Sequence, residues 1–270
     1  MLTALIISTY NWPSALKLCL EHVLFQTLLP DMVIIADDGS GEQTKEMVRQ
    51  IAKSFPVPLH HVWQEDKGFR LSRIRNLALA KATALGAEYI IQIDGDILLE
   101  RHFIEDHLSE AKPSHLLCGS RAYLSPRKSH VLLQKGKATH LSYFTPSVVN
   151  RLNALRWPWL SQWIKKNKRH LGCNMSYFLS DAIVVNGYDE DFEGWGAEDD
   201  DFYLRMEQAG IKPQRIKFKA VCFHLYHKSN ARDENYEQLE QKKKNYQSFC
   251  LKGLKQHLST QDDQNTSTSL

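Results

Sequence analysis

Short apolar runs alternate with amphipathic stretches through the first hundred residues. Four runs predict buried strands: Leu2–Ser8, Met32–Ala36, Leu59–Trp63 and Tyr89–Ile93. Apolar residues at helical spacing predict three helices between them: Ser14–Gln26, Thr44–Phe55 and Ser72–Leu85. Because strands alternate with helices, the pattern predicts an α/β fold with a Rossmann-like, mainly parallel central sheet flanked by helices.

Polar residues follow three of these strands. Thr9 and Tyr10 come after the first, Asp37 and Asp38 after the second, and Asp94-Gly95-Asp96 after the fourth. In open parallel sheets ligands bind at the carboxyl ends of the strands, so these loops are expected to meet at one site. Asp94-Gly95-Asp96 is also an ordinary turn sequence, and by itself it leaves that alternative open.

A second acidic cluster lies a hundred residues later, in Glu193-Gly194-Trp195-Gly196-Ala197-Glu198-Asp199-Asp200-Asp201. Four adjacent carboxylates beside glycines and an indole are poor packing material and suitable for chemistry. Asp200 and Asp201 are expected to begin a helix over Asp200–Ala209, where acidic side chains complement the helix dipole. A calcium loop starting at Asp189 is the alternative, although its last ligand should be glutamate.

Glycine-rich phosphate-binding motifs are absent from the sequence, both G-x-G-x-x-G and G-x-x-x-x-G-K-[ST]. The phosphates of a nucleotide would therefore need a metal ion and basic side chains. Carboxylates after the fourth strand suit a hard divalent cation, with Mn²⁺ and Mg²⁺ as the candidates.

In this order the motifs resemble those of inverting GT-A glycosyltransferases of family 2. The resemblance covers roughly residues 1 to 230 and rests on these segments: Thr9-Tyr10, Asp37-Asp38-Gly39-Ser40, Gly68–Ser72 with Arg75-Asn76, Asp94-Gly95-Asp96 and Gly194–Asp201. The last segment is similar to that of beta-1,4-galactosyltransferases and bacterial chondroitin polymerases. The resemblance implies a GT-A fold.

For the donor, the resemblance implies a UDP-sugar. Asp37 and Asp38 would hold uracil and ribose, with Thr9 and Tyr10 bordering the base. Asp94 would face ribose or sugar. Arg75 and Asn76 would lie beside the diphosphate, although a helix bearing Arg73 and Arg75 also fits simple pairing with surface acids.

For the metal, the resemblance implies Asp96 together with the segment Cys222–His227. Galactosyltransferases have a methionine at the position of His224 and a histidine at that of His227, so His227 is the better matched ligand. An imidazole in place of a thioether at His224 would be a harder ligand and would broaden the choice of metal towards Mg²⁺. Either histidine is also a plausible surface or strand-end residue.

For catalysis, the resemblance implies that Asp199 is the general base and that Glu198 accepts hydrogen bonds from the acceptor sugar. Trp195 would offer a flat face to a pyranose ring. Gly172 and Asn174, in a segment similar to the family's short strand before the acceptor site, would approach the donor sugar.

Composition bounds the remaining choices. With 270 residues, 43% of them hydrophobic, the chain suffices for one large α/β domain. Five scattered cysteines form no C-x-x-C pair, which argues against a disulfide framework or structural zinc site and favours a reducing cytoplasm. No apolar run approaches the roughly 18 residues of a spanning helix, and the N-terminus lacks a basic signal-peptide region. A soluble or peripheral protein is expected.

The net charge of +3 hides an asymmetry. No Asp or Glu lies between Glu110 and Asp181, whereas that segment holds 12 Lys and Arg. An anionic partner or a merely solvated basic surface both fit. Trp157, Trp159 and Trp163 beside these cations suit peripheral contact with an anionic membrane or stacking on sugars, and we expect no nucleic-acid partner.

The expected organisation is a glycosyltransferase domain at 1–227, divided into a nucleotide-sugar half (1–100) and an acceptor half (101–227). A C-terminal helical extension (228–258) would bear an apolar stripe of Phe249, Leu251, Leu254 and Leu258, followed by a disordered tail (259–270).

The expected function is transfer of galactose or an N-acetylhexosamine from a UDP-sugar to a glycan or lipid-linked glycan, in bacterial surface polysaccharide synthesis. The alternatives are a sugar-nucleotide nucleotidyltransferase and a non-catalytic glycan- or metal-binding module.

Overall fold

The computed structural model describes residues 1–161, 163, 172–228, 235–243 and 247–258. The strands are β1 (Thr3–Thr9), β2 (Met32–Asp37), β3 (Leu59–Trp63), β4 (Tyr89–Asp94), β5 (Ile97–Leu99), β6 (His115–Cys118), β7 (Ser120–Leu124), β8 (Val148–Val149), β9 (Asn174–Phe178), β10 (Lys212–Arg215) and β11 (Val221–His224). The helices are α1 (Pro13–Leu24), α2 (Glu42–Ala52), α3 (Leu71–Ala84), α4 (Phe103–Glu110), α5 (Pro126–Lys135), α6 (Pro158–Ser161), α7 (Leu179–Val184), α8 (Glu198–Gln208) and α9 (Asn235–Lys243), with a 3₁₀ helix at Arg151–Ala154.

The central sheet contains seven strands within the described ranges, in the order β10-β6-β9-β4-β1-β2-β3. β1, β2, β3 and β4 run parallel, and β9 is antiparallel to both of its neighbours, β4 and β6. The predicted α/β fold with a mainly parallel central sheet flanked by helices is confirmed, and the four predicted strands match β1 to β4 within one or two residues.

Helices cover both faces of the central part of this sheet, which explains why β1, β2 and β4 are buried along almost their whole length. Successive residues of β1 point to opposite faces: Ala4 and Ile6 join one buried cluster, whereas Leu5 and Ile7 join the other. The resulting three-layer core holds the strand ends rigidly, and the loops that follow β1, β2 and β4 are placed by it.

A second, four-stranded sheet in the order β5-β11-β7-β8 lies next to the loop that follows β4. β5 directly follows Asp94-Gly95-Asp96 and pairs antiparallel with β11, so that Ile97 lies opposite His224. This pairing brings the residues after position 220 to the loop that contains Asp96, a juxtaposition that no sequence spacing shows.

The C-terminal stripe expected at 249–258 is divided in the structure. Leu254 is fully buried in the main core and Leu258 packs against it, whereas Leu251 is 90% exposed. The expected tail at 259–270 lies outside the described residues. The proposed domain bounds stay a prediction, although the central sheet runs continuously through strands from both proposed halves.

Candidate active site

One cavity of about 720 Å³ opens at the carboxyl ends of β1, β2 and β4. The two distant acidic clusters meet in it, because Asp96 and Asp199 both line its wall. The lining includes most of the predicted site residues: Thr9, Tyr10, Asp38, Arg75, Asp94, Asp96, Gly172, Trp195, Glu198, Asp199, His224 and His227.

Asp37 does not line this cavity. Its carboxylate is fully buried, accepts a hydrogen bond from the Ser40 amide (2.8 Å) and contacts His61 Nε2 (2.9 Å). The neighbouring Asp38 does line the cavity, where its Oδ2 accepts from the amide of Arg70 (2.9 Å). Of the acidic pair after β2, only Asp38 therefore reaches the pocket, and Asp37 shapes the turn beneath it.

Asn76 and Asn174 also lie behind the pocket wall, not in it. Asn76 donates to the carbonyl oxygen of Tyr188 (2.8 Å). The amide of Asn174 donates to the carbonyl of Ala220 (2.9 Å), and its Oδ1 lies 2.9 Å from His107 Nε2. Both side chains are fully buried, so the structure gives them supporting bonds in place of the predicted contacts with the donor.

Arg75 connects the two acidic clusters. Its Nη1 lies 2.7 Å from Asp199 Oδ1 and 3.9 Å from Glu198 Oε1, and its Nη2 lies 3.2 Å from Asp94 Oδ1. Nε also donates to the Ser8 hydroxyl (3.3 Å). The alternative that Arg75 pairs with surface acids is wrong, because its side chain is only 1% exposed and its partners are pocket carboxylates.

The carboxylates around Arg75 differ in environment. Burial raises the pKa of Asp94 to about 6, although Arg75 opposes the shift. Burial, followed by the charge of Asp199, raises the pKa of Glu198 above its usual range. The Asp199 side chain is 25% exposed and that of Glu198 only 8%, so Asp199 is the member of this pair that a substrate reaches more readily.

The chain before these carboxylates takes backbone conformations that favour glycine. Gly194 and Gly196 have φ of 86° and 99°, and Ala197 follows at 69°. α8 begins at Glu198, two residues earlier than predicted, so Glu198 and Asp199 themselves occupy its first turn. The Gly194–Ala197 turn and the early start of α8 together place Glu198 at the pocket wall and Asp199 next to Gly172.

Gly172 lies directly against the proposed base. A Cβ added at this position would overlap the carboxylate of Asp199. Glycine is therefore required here for space, which gives a physical reason for its place in the motif.

Asp96, His224 and His227 form the one group of potential metal ligands found among the described residues. Their ligand atoms lie within 4.8 Å of one another, with Asp96 Oδ2 at 3.6 Å from His224 Nε2 and 3.3 Å from His227 Nε2. Each Nδ1 contacts a backbone carbonyl, of Leu225 (2.6 Å) or Lys228 (2.9 Å), which leaves Nε2 directed to the site.

These residues fit a divalent cation. Asp96 Oδ1 is buried and has no hydrogen-bond partner in the described part of the chain, which is costly unless an ion or water satisfies it. Its hydrogen bond to His227 raises the pKa of that imidazole to about 9, whereas burial lowers the pKa of His224. A cation bound here would replace the proton that His227 and Asp96 share.

The calcium loop considered for Asp189 onwards does not form a ligand cluster. Asp189 pairs with Lys242, and Asp191 lies 2.8 Å from Lys252 Nζ. Lysines of the C-terminal part neutralise these carboxylates, and in the described ranges neither belongs to a group of potential metal ligands.

Some residues of the cavity wall were not predicted. Arg121, Phe69 and Tyr236 line the cavity. Tyr236 lies in the first turn of α9, and its ring closely approaches Gly196. The preceding residue, Asn235, donates from Nδ2 to the Gly196 carbonyl (3.1 Å). Nothing in the polar composition of this segment signals such a contact, because only the tertiary packing brings α9 to the site.

The acid-free basic segment is not one uniform surface. Arg156 turns inward and pairs with Asp106 (2.7 Å), and Arg121 enters the cavity. Trp159 and Trp163 are 66% and 83% exposed, whereas Lys165, Lys166, Lys168 and Arg169 lie outside the described residues. Among the helices that are described, none has both the length and the apolar character to cross a bilayer.

Sequence comparison connects the chain with glycosyltransferases. The profile of Glycosyl transferase family 2 matches residues 4–170, more than half of the chain, and the profile described as the N-terminal domain of galactosyltransferase matches residues 161–228. Validoxylamine A glucosyltransferase of Streptomyces hygroscopicus subsp. limoneus is 28% identical over 78% of this chain and 49% of its own length. Chondroitin synthase of Escherichia coli is 25% identical over 82% of this chain and 34% of its own.

The chain thus spans about half or less of these relatives. Solved structures share the fold at lower identity. Staphylococcus aureus TarS 1–349 in complex with UDP-GlcNAc has a TM-score of 0.60 and 18% identity, covering 88% of this chain and 64% of that one. A mannosyltransferase from Pyrobaculum calidifontis in complex with GDP-Man and Mn²⁺ has a TM-score of 0.58 and 20% identity, covering 85% and 58%.

Proposed function

The chain belongs to glycosyl transferase family 2, and from this we propose that it is an inverting, metal-dependent hexosyltransferase. It moves a sugar from a UDP-sugar to a hydroxyl of a glycan or lipid-linked glycan. The observation that carries the proposal is the meeting of a potential metal site, Asp96 with His224 and His227, and an accessible carboxylate, Asp199, in one cavity.

Asp199 is the proposed general base. It takes the proton of the acceptor hydroxyl while that oxygen attacks the anomeric carbon from the side opposite the departing UDP. A positioned carboxylate contributes roughly 10²–10⁴ in rate. Arg75 holds Oδ1, so the other oxygen, which lies against Gly172, is the one that remains for the hydroxyl.

The surrounding residues bind and orient the two substrates. Asp38, Thr9 and Tyr10 line the nucleoside end of the cavity, next to the ends of β1 and β2. Trp195 offers a face for a pyranose ring, and Glu198 beside it accepts hydrogen bonds from the acceptor. The raised pKa of Glu198 also lets it donate a proton in a hydrogen bond at neutral pH.

Asp96, His224 and His227 would hold Mn²⁺ or Mg²⁺. When bound, such a cation neutralises the charge that grows on the leaving diphosphate. Two imidazoles and one carboxylate form a mixed nitrogen and oxygen ligand set, which Mn²⁺ accepts and which departs from the all-oxygen preference of Mg²⁺.

Donor and setting rest on the relatives. The match to the galactosyltransferase profile over residues 161–228 supports galactose or an N-acetylhexosamine as the transferred sugar. Similarity to chondroitin synthase supports polysaccharide synthesis. We place the reaction at a bacterial surface polysaccharide, made on the cytoplasmic side, with the exposed tryptophans of the basic segment as the candidate contact with an anionic membrane.

A UDP-release assay over a panel of UDP-sugars, with Mn²⁺, Mg²⁺ or EDTA, tests the proposal. We expect slow donor hydrolysis without an acceptor, stimulation by the right acceptor, and loss in EDTA. Release of pyrophosphate would instead indicate a nucleotidyltransferase. A panel with no turnover and no metal-dependent UDP binding would contradict the proposal.

Asp199→Asn separates an enzyme from a binding module. Turnover should fall by about 10²-fold or more while UDP binding by calorimetry is kept, because the amide preserves shape but takes no proton. Asp191→Asn removes an exposed carboxylate outside the cavity and is the matched control. Equal activity in the two variants would rule out Asp199 as the base.

A further inference from the structure

Arg121 is placed at the metal side of the cavity by the small sheet. It lies in β7 opposite Cys222 of β11, and two residues later Tyr123 lies opposite His224, with ring centroids 5.5 Å apart. The guanidinium lies over the Tyr123 ring (4.9 Å to the centroid), and Asn153 holds the Arg121 carbonyl (3.0 Å). Asn153 thus fixes the backbone of Arg121, and the Tyr123 ring supports its guanidinium group.

The cavity has an excess of negative charge. Among the described residues, two guanidinium groups and six carboxylates line it. The carboxylates are those of Asp38, Asp94, Asp96, Glu198, Asp199 and Asp200. Arg75 is already paired with three of them. These carboxylates repel an anionic nucleotide, and a wall cation with free hydrogen-bonding capacity would offset part of that repulsion beside a bound metal ion.

Arg121 has that capacity. Among the described residues, the Arg121 side chain donates a hydrogen bond from Nη1 to Cys173 Sγ (2.9 Å) and forms no ion pair with a carboxylate. Burial raises the pKa of the Cys173 thiol to about 12, so the thiol is neutral at neutral pH and does not compensate the guanidinium. A largely buried cation facing a cavity without a carboxylate partner indicates that an anionic ligand supplies the missing charge.

We propose that Arg121 binds the diphosphate of the nucleotide-sugar, next to the metal ligands. The inference rests on the proposed function and deepens it: the resemblance assigned this task to Arg75, whose guanidinium is paired with three protein carboxylates. The planar fork of Arg121 suits paired phosphate oxygens, which a lysine would meet only as a point charge.

Calorimetric titration of Arg121→Gln with uridine, UMP and UDP, each with Mn²⁺, tests this. UDP affinity should fall about 10- to 100-fold, because a charge-assisted contact is lost, while uridine affinity changes by less than about twofold. Arg121→Lys should be intermediate. With a UDP-sugar the loss should appear mainly in KM, since the contact exists before the reaction starts.

Arg127→Gln, an exposed arginine of the same basic segment outside the cavity, is the matched control and should bind UDP like the wild type. If Arg121→Gln binds UDP as the wild type does, or loses uridine and UDP equally, the assignment of Arg121 is wrong while the proposed function stands. If the wild type itself binds no UDP with Mn²⁺, the proposed function fails first. Thermal unfolding of each variant identifies a loss that comes from misfolding.

Discussion

Arg75→Met should destabilise the protein in a pH-dependent way. The substitution keeps a long, unbranched side chain but removes the cation that contacts Asp94, Glu198 and Asp199. These carboxylates would then lie together without the cation that contacts all three of them. Breaking a buried ion pair by removing one partner costs about 3–5 kcal/mol, and Arg75 is only 1% exposed.

The pH dependence follows from the raised pKa values. With Arg75 present the pKa of Asp94 is already about 6, and that of Glu198 is also raised. Without the guanidinium both pKa values rise further, so both groups are protonated in the folded state at about pH 5. The Arg75→Met variant therefore loses stability as pH rises. Its destabilisation relative to the wild type should shrink to about 1 kcal/mol at about pH 5.

The assay is urea unfolding in EDTA at about pH 5 and about pH 8, which keeps metal ions from replacing the missing charge. Arg73→Met is the control, since Arg73 lies on the same helix and donates to neutral Gln64 (2.6 Å). If Arg75→Met costs less than about 1 kcal/mol at the alkaline pH, or the same at both pH values, repulsion among the carboxylates is not what Arg75 prevents.

Three further outcomes are expected. Gly172→Ala should lower kcat by about 100-fold with UDP affinity kept, because the new methyl displaces the Asp199 carboxylate; initial rates and calorimetry check this, and an unchanged kcat would contradict it. His227→Ala should weaken Mn²⁺ binding at least about 10-fold in a titration followed by electron paramagnetic resonance, and equal affinity would exclude His227 as a ligand. The wild type should lose stability between about pH 5 and about pH 8, because the pKa of Glu198 is higher in the folded than in the unfolded state and the stability this gives disappears as pH rises. In Glu198→Gln the free energy of unfolding should fall by about 2 kcal/mol less over the same pH range, and parallel pH profiles of the two proteins would refute this.

The sheet and its first three helices were predictable because local periodicity reports burial directly. A strand covered by helices on both faces is buried on both sides and mostly apolar, and β1, β2 and β4 show this. The start of α8 was predicted two residues late, since the tight Gly194–Ala197 turn lets the helix begin at Glu198, and acidic residues are favourable throughout a first turn.

The site was predictable in composition but not in detail. Motif matching identified Asp38, Asp96 and Asp199, which do line the cavity. It also assigned ligand contacts to Asp37 and Asn76, whose side chains instead form hydrogen bonds with other protein groups. A motif records which residue is needed at a position, and it does not distinguish a residue that touches a ligand from one that supports the backbone beneath it.

The sequence alone determines the layered α/β architecture and the chemistry available, because hydrophobic periodicity and residue type are properties of the chain read in order. Only the tertiary structure decides which charges remain available to a ligand. Arg75 and Arg121 are the same residue type in the sequence. The packing of α3 and α8 pairs Arg75 with carboxylates, whereas the small sheet directs Arg121 to a neutral thiol and the cavity. Electrostatic pairing acts over a few ångströms of space, and residues 75 and 199 are separated by 124 positions in the chain.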